Sequence, residues 1–286
     1  MRIITVQFNY KVYGDKYERM LKVFLKSAKH YMPDVEVGVL RTSEPSLNVR
    51  RHRGMTANTL KLEMQEDKLK ELGEGNVALM DCDMMFMGDI SDVFEQDFDV
   101  GYIARPDPRI PINGGVIFVK INERSLDFFK QYREANDRMY KDKMFHNVYK
   151  SKYHGMNQAA FGYMLENYKG GAKVVAFPSE IYDACEDTWS TAMEKAKVIH
   201  FKGRLRRLTF DGDDGHSKPE IPGEIIRNNP KAHTRMRGRV RRARRYRSYG
   251  MGDYKDIVNR WHEWEKDDIS DLPNDLQQVQ GNEANA

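Results

Sequence analysis

The sequence has little cysteine and no long apolar run, and both shortages restrict what the chain can be. Only two cysteines occur among 286 residues, Cys82 and Cys185. They form no CxxC pair, which argues against a disulfide framework, so we expect free thiols in a reducing cytoplasm. No stretch of about 18 apolar residues appears, which excludes a membrane span of ordinary length. The first residues also lack the apolar core and cleavage site typical of a signal peptide.

Negative charge is missing from one segment near the C-terminus. Residues 231–247 contain nine lysines and arginines and no acid, although the formal net charge of the whole chain is only +4. The positive charge is therefore local, and a local cluster indicates a particular polyanionic partner. The last twenty residues are acidic and polar, and we expect them to be frayed.

Hydrophobic periodicity predicts alternating strands and helices over most of the chain. Strands are predicted at residues 2–8, 35–40, 77–80, 100–104, 115–120, 173–177 and 198–201, and helices at residues 16–31, 56–72, 123–140, 157–166 and 253–265. This alternation predicts an α/β domain with a largely parallel central sheet. Because the pattern breaks after about residue 207, we expect an α/β domain of residues 1–207. An extension of residues 208–286 would carry the basic segment and the acidic tail.

Two carboxylates, Asp81 and Asp83, follow the apolar strand at residues 77–80. Aspartate is costly to bury without a partner, and a divalent cation would compensate for the charge. Mg²⁺ and Mn²⁺ suit such oxygen ligands, and ligands of open α/β sheets bind at the carboxyl ends of strands. The alternative is a strand end with two solvated or salt-bridged aspartates. The triplet alone does not decide between them.

Several blocks of the sequence stand in the order found in one enzyme group. They are Asn9-Tyr10 after the first strand, Asp81-Cys82-Asp83, Ile112-Asn113-Gly114-Gly115-Val116, Asn157-Gln158 and Val198-Ile199-His200-Phe201-Lys202-Gly203. Over residues 1–207 the chain thereby resembles GT-A glycosyltransferases, specifically the family-8-like group of bacterial galactosyltransferases and glycogenin. This resemblance implies an α/β, Rossmann-like GT-A fold with a mixed central sheet. It also implies an enzyme that moves a sugar from a UDP-sugar to a hydroxyl acceptor.

The resemblance implies a metal site as well. Mn²⁺ or Mg²⁺ would be held by Asp81, Asp83 and His200 and would stabilise the leaving diphosphate of the donor. Without that context, a histidine that ends a strand is more often a core residue. Matching positions imply donor contacts by Asn9, Tyr10, Lys61, Gly114, Gly115, Lys202, Gly203 and Arg206. Tyr10 could instead be a core aromatic residue, and Lys61 a solvated helix lysine.

Three amide side chains, Asn113, Asn157 and Gln158, are the candidate catalytic residues. Amides suit sugar hydroxyls, and in retaining members of the resembled group a glutamine at the position of Gln158 lies near the reacting carbon. The glycines that follow Asn113 would let the backbone approach a sugar, although such a sequence also forms ordinary turns. Asn157 stands where the group usually has aspartate, so neither a carboxylate role there nor retention of configuration follows.

The basic segment bears on the acceptor. Its arginines interleave with tyrosines, which suits a phosphate backbone with some stacking; they include Arg237, Arg239, Arg241, Arg242, Arg244 and Arg245. This pattern favours a nucleic-acid acceptor, such as a hydroxymethylated DNA base. A lipopolysaccharide or lipid-linked glycan at an anionic membrane is the second choice, because the segment has little apolar face. A soluble acceptor, an arm that contacts the acidic tail, and a non-catalytic nucleic-acid-binding protein are further alternatives.

Overall fold

The computed structural model describes residues 1–9, 15–43, 53–108, 110–185, 188, 191–211 and 252–266. Its strands are β1 (Arg2–Asn9), β2 (Glu36–Ser43), β3 (Gly75–Asp81), β4 (Met84–Phe86), β5 (Val100–Ala104), β6 (Ile112–Ile121), β7 (Val174–Pro178) and β8 (Val198–His200). Six of them form one sheet in the order β2-β1-β3-β6-β5-β7, and β4 pairs with β8 in a separate two-stranded ribbon.

Helices pack on both faces of the six-stranded sheet. They are α1 (Lys16–Tyr31), α2 (Arg53–Leu72), α3 (Glu123–Lys141), α4 (Lys143–Tyr153), α5 (Asn157–Asn167), α6 (Ser179–Tyr182), α7 (Ala192–Lys195), α8 (Gly203–Asp211) and α9 (Gly252–Lys266), with a 3-10 helix at Ser91–Glu95. Side chains alternate along each strand, so β1 serves two cores. Ile3 packs with Phe24 of α1, whereas Ile4 packs with Leu62 of α2. None of the helices in these ranges is long and apolar enough to span a bilayer.

The sheet is mixed, which confirms the fold that the resemblance implied. β1 runs parallel to β2 and β3, and β5 runs parallel to β7, but β6 is antiparallel to both β3 and β5. The alternation of elements overestimated parallel pairing because residues 105–111 are too few for a crossover between parallel strands. As a result, the beginning of β6 lies beside the end of β3, where Val116 pairs with Met80.

Hydrophobic periodicity did not predict β4 and α4, nor the short helices α6, α7 and α8. β4 has only three residues and exists because it pairs with the distant β8. α4 begins after Asp142, whose carboxylate accepts hydrogen bonds from the amides of Met144 and Phe145. Met144 and Val148 remain exposed on α4. The apolar residues Met144, Phe145, Val148 and Tyr149 have helical spacing, but only part of this apolar face packs against the core.

The predicted C-terminal helix is present as α9 and packs against α1 and α8. Trp261 is buried in a core that α9 shares with the β4–β8 ribbon and α8. Arg19 of α1 forms an ion pair with Glu265 of the same helix. Residues 212–251 lie outside the described part of the chain, so the domain boundary after residue 207 stays a prediction.

A buried carboxylate joins β5 to α3 and to the segment before β7. Asp99 is 3% exposed and accepts hydrogen bonds from the side chains of Arg124 and Asn122 and from the amide of Lys173. The hydrogen bond from Arg124 is the largest influence. Together with the other donors it lowers the pKa of Asp99 to about 2, against the opposing effect of burial.

Asp99→Asn should lower the free energy of unfolding by about 2 kcal/mol at pH 7, because the unfolded-state pKa of aspartate is about 3.9. Since folding depresses this pKa, the contribution is complete above about pH 5 and is lost as the pH falls from about 4 to 2. Urea titrations at several pH values should show the gap between wild type and variant closing in that window. Asp97→Asn is the control, because its carboxylate is exposed and pairs with Lys173. An equal loss in both variants would contradict this role of Asp99.

Candidate active site

The candidate site lies at the edge of the sheet where β1 and β3 end and β6 begins. Asp81 is the last residue of β3, Asp83 lies in the turn to β4, and His200 is the last residue of β8. Antiparallel pairing of the ribbon sets Met84 opposite His200. The ribbon thereby brings an imidazole from late in the chain to the two carboxylates.

One atom from each of these three side chains points toward a common centre. Nε2 of His200 lies 3.3 Å from Oδ1 of Asp83 and 3.8 Å from Oδ2 of Asp81. The three potential ligand atoms all lie within 4.8 Å of one another. Neighbouring ligands of an octahedral Mg²⁺ are about 3 Å apart, and carboxylate oxygens suit this ion and Mn²⁺. The residues present therefore fit a divalent cation.

The other polar atom of each of the three side chains is held from outside. The outer contacts are Lys61 Nζ to Asp81 Oδ1 at 2.5 Å, Arg206 Nη2 to Asp83 Oδ2, and Asp183 Oδ1 to His200 Nδ1 at 2.8 Å. The aspartates are thus salt-bridged, which was the alternative to a metal site. Each nevertheless turns its second oxygen inward, so the salt bridges and a cation do not exclude each other.

Burial and charge oppose each other in setting the proton affinities of these groups. Burial works to lower the pKa of His200, but the charges of Asp83 and Asp183 raise it to about 9. Burial works to raise the pKa of Asp83, whereas the charges of His200 and Arg206 hold it well below its usual range. An imidazole that binds a metal must be neutral, so a cation would displace the ring proton. The negative charge around His200 therefore favours either a protonated imidazole or a bound metal cation.

The two cations that contact the aspartates are fixed by further bonds. Lys61 is 7% exposed, which excludes the solvated-lysine alternative, and it also donates to the carbonyl of Gly114 at 3.2 Å. Nε of Arg206 donates to the carbonyl of Phe201 at 2.9 Å, and its Nη1 donates to the hydroxyl of Tyr17 at 3.4 Å. The positive charges are therefore built into the site and are not mobile surface groups.

Gly115 has a packing role that the sequence did not reveal. A methyl group added there would lie 2.7 Å from Cε1 of His200 and 2.7 Å from Cε of Met84. A methyl group at Gly114 would meet Cγ of Gln158 at 3.3 Å, a milder contact. The sequence suggested that these glycines admit a sugar. The structure adds that Gly115 makes room for the imidazole.

The three candidate catalytic amides lie near the beginnings of β6 and α5. Lys202 donates to Oδ1 of Asn113 at 2.9 Å, and Nε2 of Gln158 donates to the carbonyl of Ile112. Asn157, the first residue of α5, is buried. Their contact with a reacting sugar stays a prediction.

Other predicted site residues are described only in part. Asn9 ends β1, where its backbone pairs with Ser43. Gly203 begins α8 with φ near 59°, a conformation that favours glycine. Tyr10 lies outside the described residues, and so do the six arginines of the basic segment.

Sequence reasoning missed Asp183, Tyr17 and Gln7. Nothing local distinguishes Asp183 from the other acids in its segment, and Tyr17 follows the pattern of an ordinary helix residue. Gln7 offered a signal, because a long polar side chain interrupts an apolar strand. It is 2% exposed, and its Oε1 has no hydrogen-bond partner among the residues described. It follows Val6, which pairs with Asp81.

A family comparison agrees with this geometry. The model described as nucleotide-diphospho-sugar transferase matches residues 60–206, which include both aspartates, the asparagine-glycine segment and His200. The match spans just over half of the chain, and the chain therefore belongs to the nucleotide-diphospho-sugar transferase family. A sequence comparison with curated proteins finds no significant match.

Solved structures are similar to this chain at low sequence identity. One is a glycosyltransferase involved in glycosylation of the major capsid of PBCV-1, with 14% identity and a TM-score of 0.50. That alignment covers 72% of this chain and 96% of the other. Another is the glycosyltransferase GlyE of Streptococcus pneumoniae TIGR4, with 11% identity, a TM-score of 0.48, and coverage of 92% of this chain and 64% of that one. With the family match, the fold defines this protein as a GT-A-type glycosyltransferase that uses a nucleotide sugar.

Gly115→Ala should weaken Mn²⁺ binding by about tenfold or more, because the added methyl group displaces the His200 ring. Electron paramagnetic resonance of free Mn²⁺ measures this affinity directly. Gly114→Ala is the matched control, because its methyl group meets the flexible side chain of Gln158. If both variants bound Mn²⁺ like wild type, the ring position would not matter for the site.

Proposed function

We propose that this protein transfers a sugar from a UDP-sugar to a hydroxyl acceptor with the help of Mn²⁺ or Mg²⁺ held by Asp81, Asp83 and His200. The observation that carries the proposal is the convergence of one atom from each of these side chains at the sheet edge. Family membership supports the nucleotide-sugar donor. When bound, the metal would stabilise negative charge on the leaving diphosphate.

Lys61 and Arg206 support a diphosphate at this position. Each of these cations forms a salt bridge with one of the two carboxylates. A diphosphate brings additional negative charge, and the planar fork of Arg206 can donate to two phosphate oxygens at once. We assign both residues to the donor diphosphate, together with Lys202, which lies between β8 and α8.

The unpartnered amide oxygen of Gln7 supports a nucleobase at this position. A buried acceptor without a donor is unfavourable, and a ligand that supplies an N–H removes the penalty. Every nucleobase presents an N–H, and the family resemblance favours uracil, which does so at N3. Gln7 lies on the strand beside the metal-binding triplet, which suits a base joined to a metal-bound diphosphate. Asn9 and Tyr10, further along the same strand end, would complete this nucleoside contact.

Wild-type protein should release UDP from UDP-sugars in the presence of Mn²⁺, and Asp83→Asn should lower that rate at least about a hundredfold, because it removes an inward oxygen. A coupled assay for UDP with and without Mn²⁺ measures the effect. Asp97→Asn, an exposed aspartate far from the site in the fold, should behave like wild type. Full activity in Asp83→Asn would refute the metal assignment. Absence of both UDP release and stabilisation by UDP would refute the donor.

The identity of the acceptor does not follow from the donor site. The sequence favoured nucleic acid because of the arginines at residues 237–245, and these lie outside the described part of the chain. The described surface offers a different feature at the junction of α3 and α4. We call it the α4 surface, and its members are Tyr140, Lys141, Lys143, Met144, Val148 and Lys150.

Exposed apolar side chains are concentrated on the α4 surface. Among the described residues, four large hydrophobic side chains are exposed, and three of them belong to this surface: Tyr140 at 40%, Met144 at 76% and Val148 at 54%. The three lysines of the surface are exposed as well. The other side of α4 is anchored, because Phe145 and Tyr149 pack against Tyr163 of α5. A rigid helix with exposed apolar and basic groups suits an anionic lipid surface.

The α4 surface is also close in the chain to the candidate sugar-binding amides. Residues 154–156 connect α4 to α5, which begins with Asn157 and Gln158. His146 of α4 lies 3.0 Å from the carbonyl of Gly155 in this connection, so helix and connection are joined. We therefore propose a glycan attached to a lipid as the acceptor, and nucleic acid becomes the competing outcome of the test.

Wild-type protein should cosediment with vesicles that contain phosphatidylglycerol. Replacing Met144 and Val148 together by Gln should reduce that binding by about tenfold or more, because two apolar side chains no longer enter the lipid. Leu165→Gln, at an exposed apolar position outside the α4 surface, is the control. UDP release from a soluble assay should be unchanged in both proteins.

The opposite result would favour the acceptor expected from the sequence. In that case the double substitution would leave vesicle binding unchanged. DNA binding would fall steeply with salt, and it would be lost when Arg241, Arg242, Arg244 and Arg245 are neutralised.

A further inference from the structure

Asp183 is the most completely buried acid near the candidate metal site. Its exposed fraction is 0%, and its Oδ1 lies 2.8 Å from Nδ1 of His200. The backbone holds it there. The amide of the adjacent Ala184 donates to the carbonyl of Val198 at 2.9 Å, and the amide of His200 donates to the carbonyl of Ala184 at 2.9 Å. The position of Asp183 relative to the imidazole is therefore fixed by β8 itself.

The contact determines which ring nitrogen can bind a metal. A carboxylate oxygen accepts a hydrogen bond, so Nδ1 of His200 carries the hydrogen of the bond that it donates to Asp183. In a neutral ring the lone pair then lies on Nε2. Nε2 is the nitrogen that faces Asp83 at 3.3 Å and Asp81 at 3.8 Å. Asp183 thus selects the tautomer whose lone pair points to the centre of the three side chains.

A role in packing alone does not account for Asp183. Its Oδ2 is buried and has no hydrogen-bond partner among the described residues. A buried carboxylate with one of its oxygens unpartnered is costly, and asparagine or an apolar residue would be cheaper at a purely structural position. Negative charge behind the ring becomes useful when a cation lies in front of it, because it makes the imidazole a stronger ligand.

We infer that Asp183 is a positioning residue for the metal, which acts through His200 by fixing its tautomer and strengthening Nε2 as a ligand. This inference rests on the proposed metal site and adds a residue to it. Asp183 touches neither the donor nor the acceptor in this assignment. Its effect is therefore on metal affinity first and on turnover only as a consequence.

The test measures Mn²⁺ affinity by electron paramagnetic resonance, with no nucleotide and with UDP. Asp183→Asn keeps the shape of the side chain but can turn its NH₂ group toward Nδ1, which places the ring proton on Nε2. It should weaken Mn²⁺ binding about 10- to 100-fold. Asp99→Asn, another buried aspartate with three hydrogen-bond partners and no contact to the site, should retain wild-type affinity. An unchanged affinity in Asp183→Asn would overturn the inference.

A second readout separates positioning from loss of structure. In protein loaded with Mg²⁺ and UDP, long-range ¹⁵N–¹H spectra report which nitrogen of His200 is protonated, with His200→Gln used for assignment. Wild type should show a proton on Nδ1, and a proton on Nε2 would overturn the inference. This second readout uses the wild-type protein, so it tests the inference even if Asp183→Asn fails to fold.

The variants Asp83→Asn and His200→Gln distinguish an error in the proposed metal site from an error in the role of Asp183. If either one binds Mn²⁺ like wild type, the proposed metal site is wrong, whatever Asp183 does. If both lose affinity while Asp183→Asn keeps it, the metal site stands and the positioning role of Asp183 fails.

Discussion

Two aspartates at the end of a buried strand must be neutralised, and the surroundings of the site follow from that constraint. Each carboxylate meets a cation from a different helix, Lys61 from α2 and Arg206 from α8. Both helices are thereby tied to the end of β3. Each protein cation contacts only one oxygen of its carboxylate, and the other oxygen stays turned toward the common centre. The outer contacts hold the geometry, and the inner atoms are available for chemistry.

The reversed direction of β6 is what makes this arrangement compact. In a wholly parallel sheet, every strand would meet the ligand with its carboxyl end. Here the first residues of β6 face the last residues of β3. Gly115, which has no side chain, therefore lies against the imidazole. The β4–β8 ribbon supplies the imidazole from the other side. Two pairing relationships that are far apart in sequence therefore determine one position.

The sequence predicted features that depend on neighbouring residues and missed those that depend on distant pairing. The apolar run of β3 followed by Asp81 and Asp83 is local, and its interpretation needed only the cost of buried charge. Hydrophobic periodicity predicted a strand at residues 198–201, but only the family resemblance assigned His200 to a metal site. Asp183 could not be predicted, because its contact arises from a backbone bridge between Ala184 and Ile199. α4 was not predicted, although Met144, Phe145, Val148 and Tyr149 have helical spacing.

The docking of α9 changes how the basic segment should be regarded. α8 ends at Asp211, α9 begins at Gly252, and Trp261 fixes α9 to the core beside α8. Residues 231–247 are thus joined covalently to the catalytic body on both sides. The basic segment therefore stands between two packed helices in the chain. Because Trp261 shares its core with Met85 and Ile199, the helix that follows this segment also helps to hold the ribbon that carries His200.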